Sequence, residues 1–137
     1  MLILRPHDRL RCVRYTRIYA DAAGESHFED VEAGGEYRQA LESDLMAVMS
    51  ETFPVEGIFF RDVQTEASPV PHNAPYELFI IGVRGRFTIQ VSDGELREFG
   101  PGSVILVQDT TGKGHVTKRL GDEGRVTLMA PLAKPGA

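Results

Sequence analysis

From residue 57 onward, short apolar runs alternate with Gly, Asp and Pro turns at the even spacing of an all-β sandwich or barrel. Runs over residues 57–64, 77–83, 86–91, 95–99, 103–108, 115–120 and 125–132 predict a β meander. Ser92-Asp93-Gly94 joins the third run to the fourth, and its Asp-Gly pair supplies the backbone freedom that a tight hairpin requires. Gly100-Pro101-Gly102 then turns the chain into residues 103–108. Earlier in the sequence, residues 13–19 and 27–31 predict strands around a polar turn at 21–26. Between residues 36 and 50, Tyr37, Leu41, Leu45 and Val48 recur near helical spacing, which predicts a short amphipathic helix packed outside the β structure.

At 137 residues the chain fits one domain, and no internal repeat or low-complexity stretch divides it. The expected division is a basic arm over 1–12, a single domain over 13–132 and a frayed tail over 133–137. With 42% hydrophobic and 26% charged residues, the composition is that of a soluble globule, not a disordered or membrane-spanning chain. The net charge of −5 disfavours nucleic acid as a partner, and a membrane partner is not expected. Arginines nevertheless crowd the start, and acids dominate residues 21–66; the plain reading is a solvated basic strand or arm. The single Cys12 closes no intramolecular disulfide and builds no thiolate cluster, so a reducing, cytoplasmic setting is expected. Met1-Leu2-Ile3-Leu4 is broken by Arg5, Pro6 and His7, so no secretory signal is expected.

Two reaction classes lack their signatures. The stretch Asp109-Thr110-Thr111-Gly112-Lys113-Gly114-His115 has the look of a phosphate loop, but Gly114 stands where Ser or Thr is needed, and a strand follows instead of a helix. There is no Gly-x-Ser-x-Gly elbow, and Cys12 has no legible His partner, so covalent acyl transfer has no support. What remains is a polar set in the β half: His72 and His115 at strand entrances, with Tyr76, Glu77, Gln108, Asp109 and Arg119 nearby.

Residues 57–132 resemble the cupin superfamily, small β-barrels that carry two sequence motifs separated by a hairpin. The resemblance rests on Pro71-His72-Asn73-Ala74-Pro75-Tyr76-Glu77-Leu78 through Gly85, and on Phe99-Gly100-Pro101-Gly102-Ser103-Val104 through Gly112-Lys113-Gly114-His115. His72 matches the first His of motif one and Gly85 its terminal Gly; the second His position is Ala74 and the Glu position is Leu78. In motif two His115 matches the His, and Arg119 stands at the Asn position. The resemblance implies a single-domain, jelly-roll-like β-barrel with an N-terminal strand extension, and a homodimer. It also implies that the family's divalent transition-metal site is incomplete here. A metal, if held, would need His72, His115 and an off-motif carboxylate, of which Glu77 is nearest.

If His72 and His115 face a barrel cavity, strand alternation adds Tyr76, Leu78 and Ile80 on one strand and Thr117 and Arg119 on another, and turns Glu77 away. The first strand of the meander adds either Phe60 with Asp62 or Phe59 with Arg61. Such a pocket suits a small organic molecule. His72 and His115 are then the candidate catalytic pair for metal-independent acid–base chemistry of an isomerase, lyase or cyclase type. Asn73, Tyr76, Leu78, Phe60, Gln108 and Arg119 are the candidate substrate contacts. The alternatives are a non-catalytic metabolite-binding or interaction module, and a metal-dependent oxygenase or isomerase.

Overall fold

The computed structural model describes residues 11–39, 46–65 and 69–134. The fold is all-β, with no helix among the described residues. In chain order the strands are β1 (Arg11–Ala20), β2 (Ser26–Gln39), β3 (Met46–Ser50), β4 (Phe59–Val63), β5 (Leu78–Arg84), β6 (Arg86–Val91), β7 (Leu96–Phe99), β8 (Val104–Val107), β9 (His115–Leu120) and β10 (Arg125–Pro131). They form a seven-stranded sheet in the order β3-β2-β1-β8-β5-β10-β4 and a three-stranded sheet in the order β7-β6-β9. Among the described residues only β1 and β8 pair in parallel; the other strand pairs are antiparallel. Hydrogen bonding does not close the two sheets into one continuous barrel.

The apolar runs are explained by which faces are covered. Between the sheets, Ile18, Leu78, Phe87, Ile89, Ile105 and Met129 belong to one buried cluster. On the other face of the large sheet, Tyr15, Phe79, Leu106 and Ala130 form a second, with Phe53 laid edge-on against Phe79 at 5.0 Å. Because β5 and β8 have apolar neighbours on both faces, Leu78-Phe79-Ile80-Ile81 and Val104-Ile105-Leu106-Val107 read as unbroken apolar runs without alternation.

The helix expected over residues 36–50 is not formed where the structure describes it. β2 continues to Gln39, and β3 pairs with it from Gly35↔Ser50 to Gln39↔Met46. Tyr37 and Val48 are opposite one another across two strands, so their helix-like spacing reflects a strand reversal. Leu41 and Leu45 lie outside the described residues. At the start, Arg11 and Cys12 belong to β1, not to an arm, and residues 1–10 lie outside the described set. At the other end, the Ala133 N–H donates to the Pro54 carbonyl at 3.0 Å, while residues 135–137 of the expected tail lie outside the described set.

The uneven charge has a local explanation. β1 and β2 are antiparallel neighbours, with Arg17 opposite Glu29 and Thr16 opposite Asp30. Arg14 reaches Asp30 at 2.9 Å and Arg17 reaches Glu29 at 3.5 Å, so the basic strand lies along an acidic one. Exposed cross-strand pairs of this kind add about 0.2–1 kcal/mol each and fix register more than they fix stability.

Loops at one end of the sandwich are tied together at Ser26, which is fully buried. Its hydroxyl donates to the Gly114 carbonyl at 2.6 Å and accepts from the Ser92 N–H at 2.7 Å, joining the β1–β2 turn, the β6–β7 hairpin and the segment entering β9. Next to it, His27 lies between two carboxylates, Nε2 at 2.7 Å from Asp21 and Nδ1 at 2.8 Å from Asp93. With an acceptor at each ring nitrogen the charged imidazolium is favoured, so hydrogen bonds to Asp21 and then Asp93 raise the His27 pKa above its ordinary 6.5. The backbone N–H of Glu95 and then the His27 ring lower Asp93, and the His27 ring leads the lowering of Asp21, both from an ordinary 3.8.

A raised histidine stabilises the fold fully below 6.5 and loses that contribution as pH rises through its folded-state pKa. The lowered carboxylates contribute above 3.8 and lose that contribution as pH falls through their folded-state pKa values. The melting-temperature gap between wild type and His27→Gln is therefore expected to be widest between these two values and to shrink as pH is raised above 6.5 and through the folded-state pKa of His27. Thermal melts across pH check this; a constant gap would rule the clamp out.

Candidate functional site

A cavity of about 170 Å³ opens between the two sheets. His72, Ala74, Tyr76, Leu78 and His115 contribute to its wall, as do Phe59, Arg61, Phe87, Arg125 and Thr127, with Ile80, Ile89, Thr117 and Met129 among the rest. The strand registers order these groups. Leu78 is opposite Val107 and His115 opposite Val91; Ile80 is opposite Met129; Thr127 is opposite Arg61, and Arg125 is two residues further along β10. Imidazoles thus occupy one end, an apolar belt the middle and guanidiniums the other end.

The imidazole end is assembled by an isolated bridge. His72 and His115 exchange both backbone hydrogen bonds, each at 3.0 Å, which sets their rings 4.6 Å apart between centroids at 59°. Gly114 makes this approach feasible: its φ is +73°, and a Cβ there would lie 2.4 Å from the His72 carbonyl oxygen. The loop before β9 is stapled to the same segment, with the Ala74 N–H donating to the Asp109 carbonyl at 3.1 Å and Asn73 Nδ2 donating to the Gly112 carbonyl at 3.0 Å.

The chemistry of this end is set by Asp109. Its side chain is fully buried, and Oδ2 is 2.6 Å from His115 Nδ1, itself almost wholly buried. Asp109 Oδ1 makes no hydrogen bond among the described residues. A carboxylate in this position accepts the Nδ1 proton and leaves Nε2 as the basic nitrogen of His115. His72 is exposed and its Nδ1 donates to the Val70 carbonyl at 3.3 Å, which assigns the basic position to its Nε2 as well.

The residues singled out in the sequence divide accordingly. His72, His115, Tyr76 and Leu78 meet at the cavity. Phe60 does not: it is 66% exposed on the opposite face of β4, because Met129 faces the core and its partner is Phe59. Phe59 and Arg61 are the inward pair. Gln108 also lies away from the cavity, one residue out of phase with Val107; its Oε1 accepts from Arg17 Nε, and its Nε2 is 3.4 Å from Glu77 Oε1. Asn73 holds the loop instead of lining the pocket. Arg119 follows His115 and Thr117 in phase, but Nη1 donates to the Gln64 carbonyl at 3.2 Å and the residue is not part of the cavity wall.

Asp109, Arg125 and Thr127 are positions at or beside the cavity that sequence reasoning underweighted. The alternation of Arg125-Val126-Thr127-Leu128-Met129 carried the signal for the last two, since Arg125, Thr127 and Met129 share a face. The metal site of the resemblance does not fit. Among the described residues no three His, Cys, Asp or Glu side chains converge, Ala74 and Leu78 occupy two ligand positions, and Glu77 is beside Gln108 outside the cavity. No helix among the described residues is long and apolar enough to cross a membrane.

No protein-family model matches the chain, and no curated protein matches it either.

Proposed function

We propose that this is a cupin-type small-molecule protein whose cavity performs metal-independent acid–base chemistry, with His115 as the base and His72 as the second proton carrier. The observation that carries the reading is the buried Asp109–His115 pair at 2.6 Å on the wall of a partly open, largely apolar cavity. Asp109 orients the ring and stabilises the imidazolium formed when His115 Nε2 takes a proton. His72, its ring tilted against that of His115 at 4.6 Å and open to solvent, can return a proton to a second position on the ligand or exchange it with water. Enolisation, isomerisation, dehydration and cyclisation all need that pair of transfers and no redox partner.

Size narrows the ligand. An apolar cavity of about 150 Å³ in another protein accommodates benzene, so the cavity of about 170 Å³ here suits a molecule of similar bulk. Exchange of carbon-bound protons for deuterium, followed by NMR in D2O with a chelator present, tests the reading on a panel of small carbonyl compounds. Protein-dependent exchange in at least one compound is expected. Saturable binding without exchange would make the chain a metabolite-binding module, and exchange that appears only on adding a divalent metal would overturn metal independence.

A further inference from the structure

We infer that the Arg61–Arg125 end of the cavity is a carboxylate subsite, so that the ligand is a small carboxylic acid held with its reacting carbon toward the Asp109–His115 pair. This rests on the proposed function for the reacting end but not for the binding end.

Three features carry the inference. First, Arg61 and Thr127 are direct partners across β4 and β10, and Arg125 shares the inward face of β10, so both guanidinium-bearing residues converge on one cavity wall. Second, Arg125 is only 6% exposed, and its guanidinium lies over the Phe87 ring, 5.3 Å from its centre, so that the group is packed against an aromatic face. A planar fork packed in this way matches the two oxygens of a carboxylate, and charge-assisted bonds strengthen where water is excluded. Third, the like charge of Arg61 reaches Arg125; burial first, and Arg61 second, pull the Arg125 pKa below the usual guanidinium range. An anion between them relieves that repulsion.

Cavity size and its polar asymmetry favour a carboxylate over a bulkier, doubly charged phosphate. The apolar belt of Ile80, Ile89 and Met129 separates the two ends and fits a short carbon skeleton. Thr127 contributes little to binding, since its hydroxyl is turned to Met129 Sδ at 3.3 Å.

Matched pairs test this without any turnover: benzoate, butyrate and 2-oxobutyrate, each titrated against its primary amide and followed by NMR. The wild-type protein is expected to bind at least one carboxylate about tenfold or more tightly than its amide. Arg125→Met is expected to remove the preference, and Arg61→Gln, a substitution at an exposed position of the cavity wall, to reduce it several-fold. His115→Asn is expected to keep the preference, which separates failure of the acid–base reading from failure of this one. Equal binding of acid and amide, no binding of any acid up to about 10 mM, an unchanged preference in both arginine variants, or tighter binding of inorganic phosphate than of every carboxylate would each overturn the subsite.

Discussion

His115→Asn is expected to slow proton exchange in the responsive compound by about 10²- to 10⁴-fold while the melting temperature moves by only a few degrees. Asparagine is the informative replacement because its side-chain amide nitrogen falls where Nδ1 lies in histidine. It can keep the donation to Asp109 Oδ2 that now spans 2.6 Å, and with it the satisfaction of a fully buried carboxylate. The backbone bridge to His72 needs no side chain and survives. What disappears is Nε2, the nitrogen that carries the reaction in our reading. Asp109→Asn is the complement: the imidazole stays, but an amide at that position can present a donor to Nδ1 and turn the ring's proton toward Nε2. Both variants are expected to lose rate together. A His115→Asn protein that exchanges protons at the wild-type rate would dismiss His115 as the base.

The second large effect is structural. Gly114→Ala places a Cβ 2.4 Å from the His72 carbonyl oxygen and 2.6 Å from its carbon, both of them backbone atoms that cannot rotate aside. It also forces an L side chain into φ +73°, at a cost of roughly 1–2 kcal/mol. Separating the strands would forfeit the two hydrogen bonds of the His72–His115 bridge, about 0.5–1.5 kcal/mol each. Together these predict a loss of roughly 2–5 kcal/mol and a fall in melting temperature on the order of 10 °C. Gly121→Ala is the control, because Gly121 has the same φ of +73° and a Cβ added there would meet nothing within 4 Å. Chemical denaturation of the two variants isolates the cost of the contact from that of the backbone conformation. Equal losses would show that the close approach to His72 is not limiting.

Much of the β half was legible because turn residues carry local chemistry. Asp93-Gly94 closes the β6–β7 hairpin, where the Asp93 carboxylate accepts the Glu95 N–H and Gly94 supplies a φ of +102°. The β2–β3 pairing was illegible for the opposite reason: Tyr37 and Val48 carry no mark of being opposite one another, and their spacing mimics one helical face. At the site, alternation located Tyr76 and Leu78, whereas position along the chain misled for Gln108, which adjoins Val107 in sequence but faces the other side of the sheet. Arg119 shows the limit of phase arguments, because a long side chain in the correct phase can still reach past the cavity, here to Gln64. Arg125 was missed because an arginine at the start of a strand ordinarily marks a solvated end, and only the packing of Phe87 beneath it reveals otherwise.

The Ser26 knot gives the site a particular relation to chain completion. Its partners are 66 and 88 residues away, so the hydroxyl is satisfied only after distant hairpins have met. The segment carrying Gly114 is one of those partners, and His115 is its next residue. Loops of that length close late and at an entropic cost that local contacts do not repay in advance. The strands of the small sheet can therefore pair before Ser26 is engaged, and the segment entering β9 takes its final place only when the β1–β2 turn has met it.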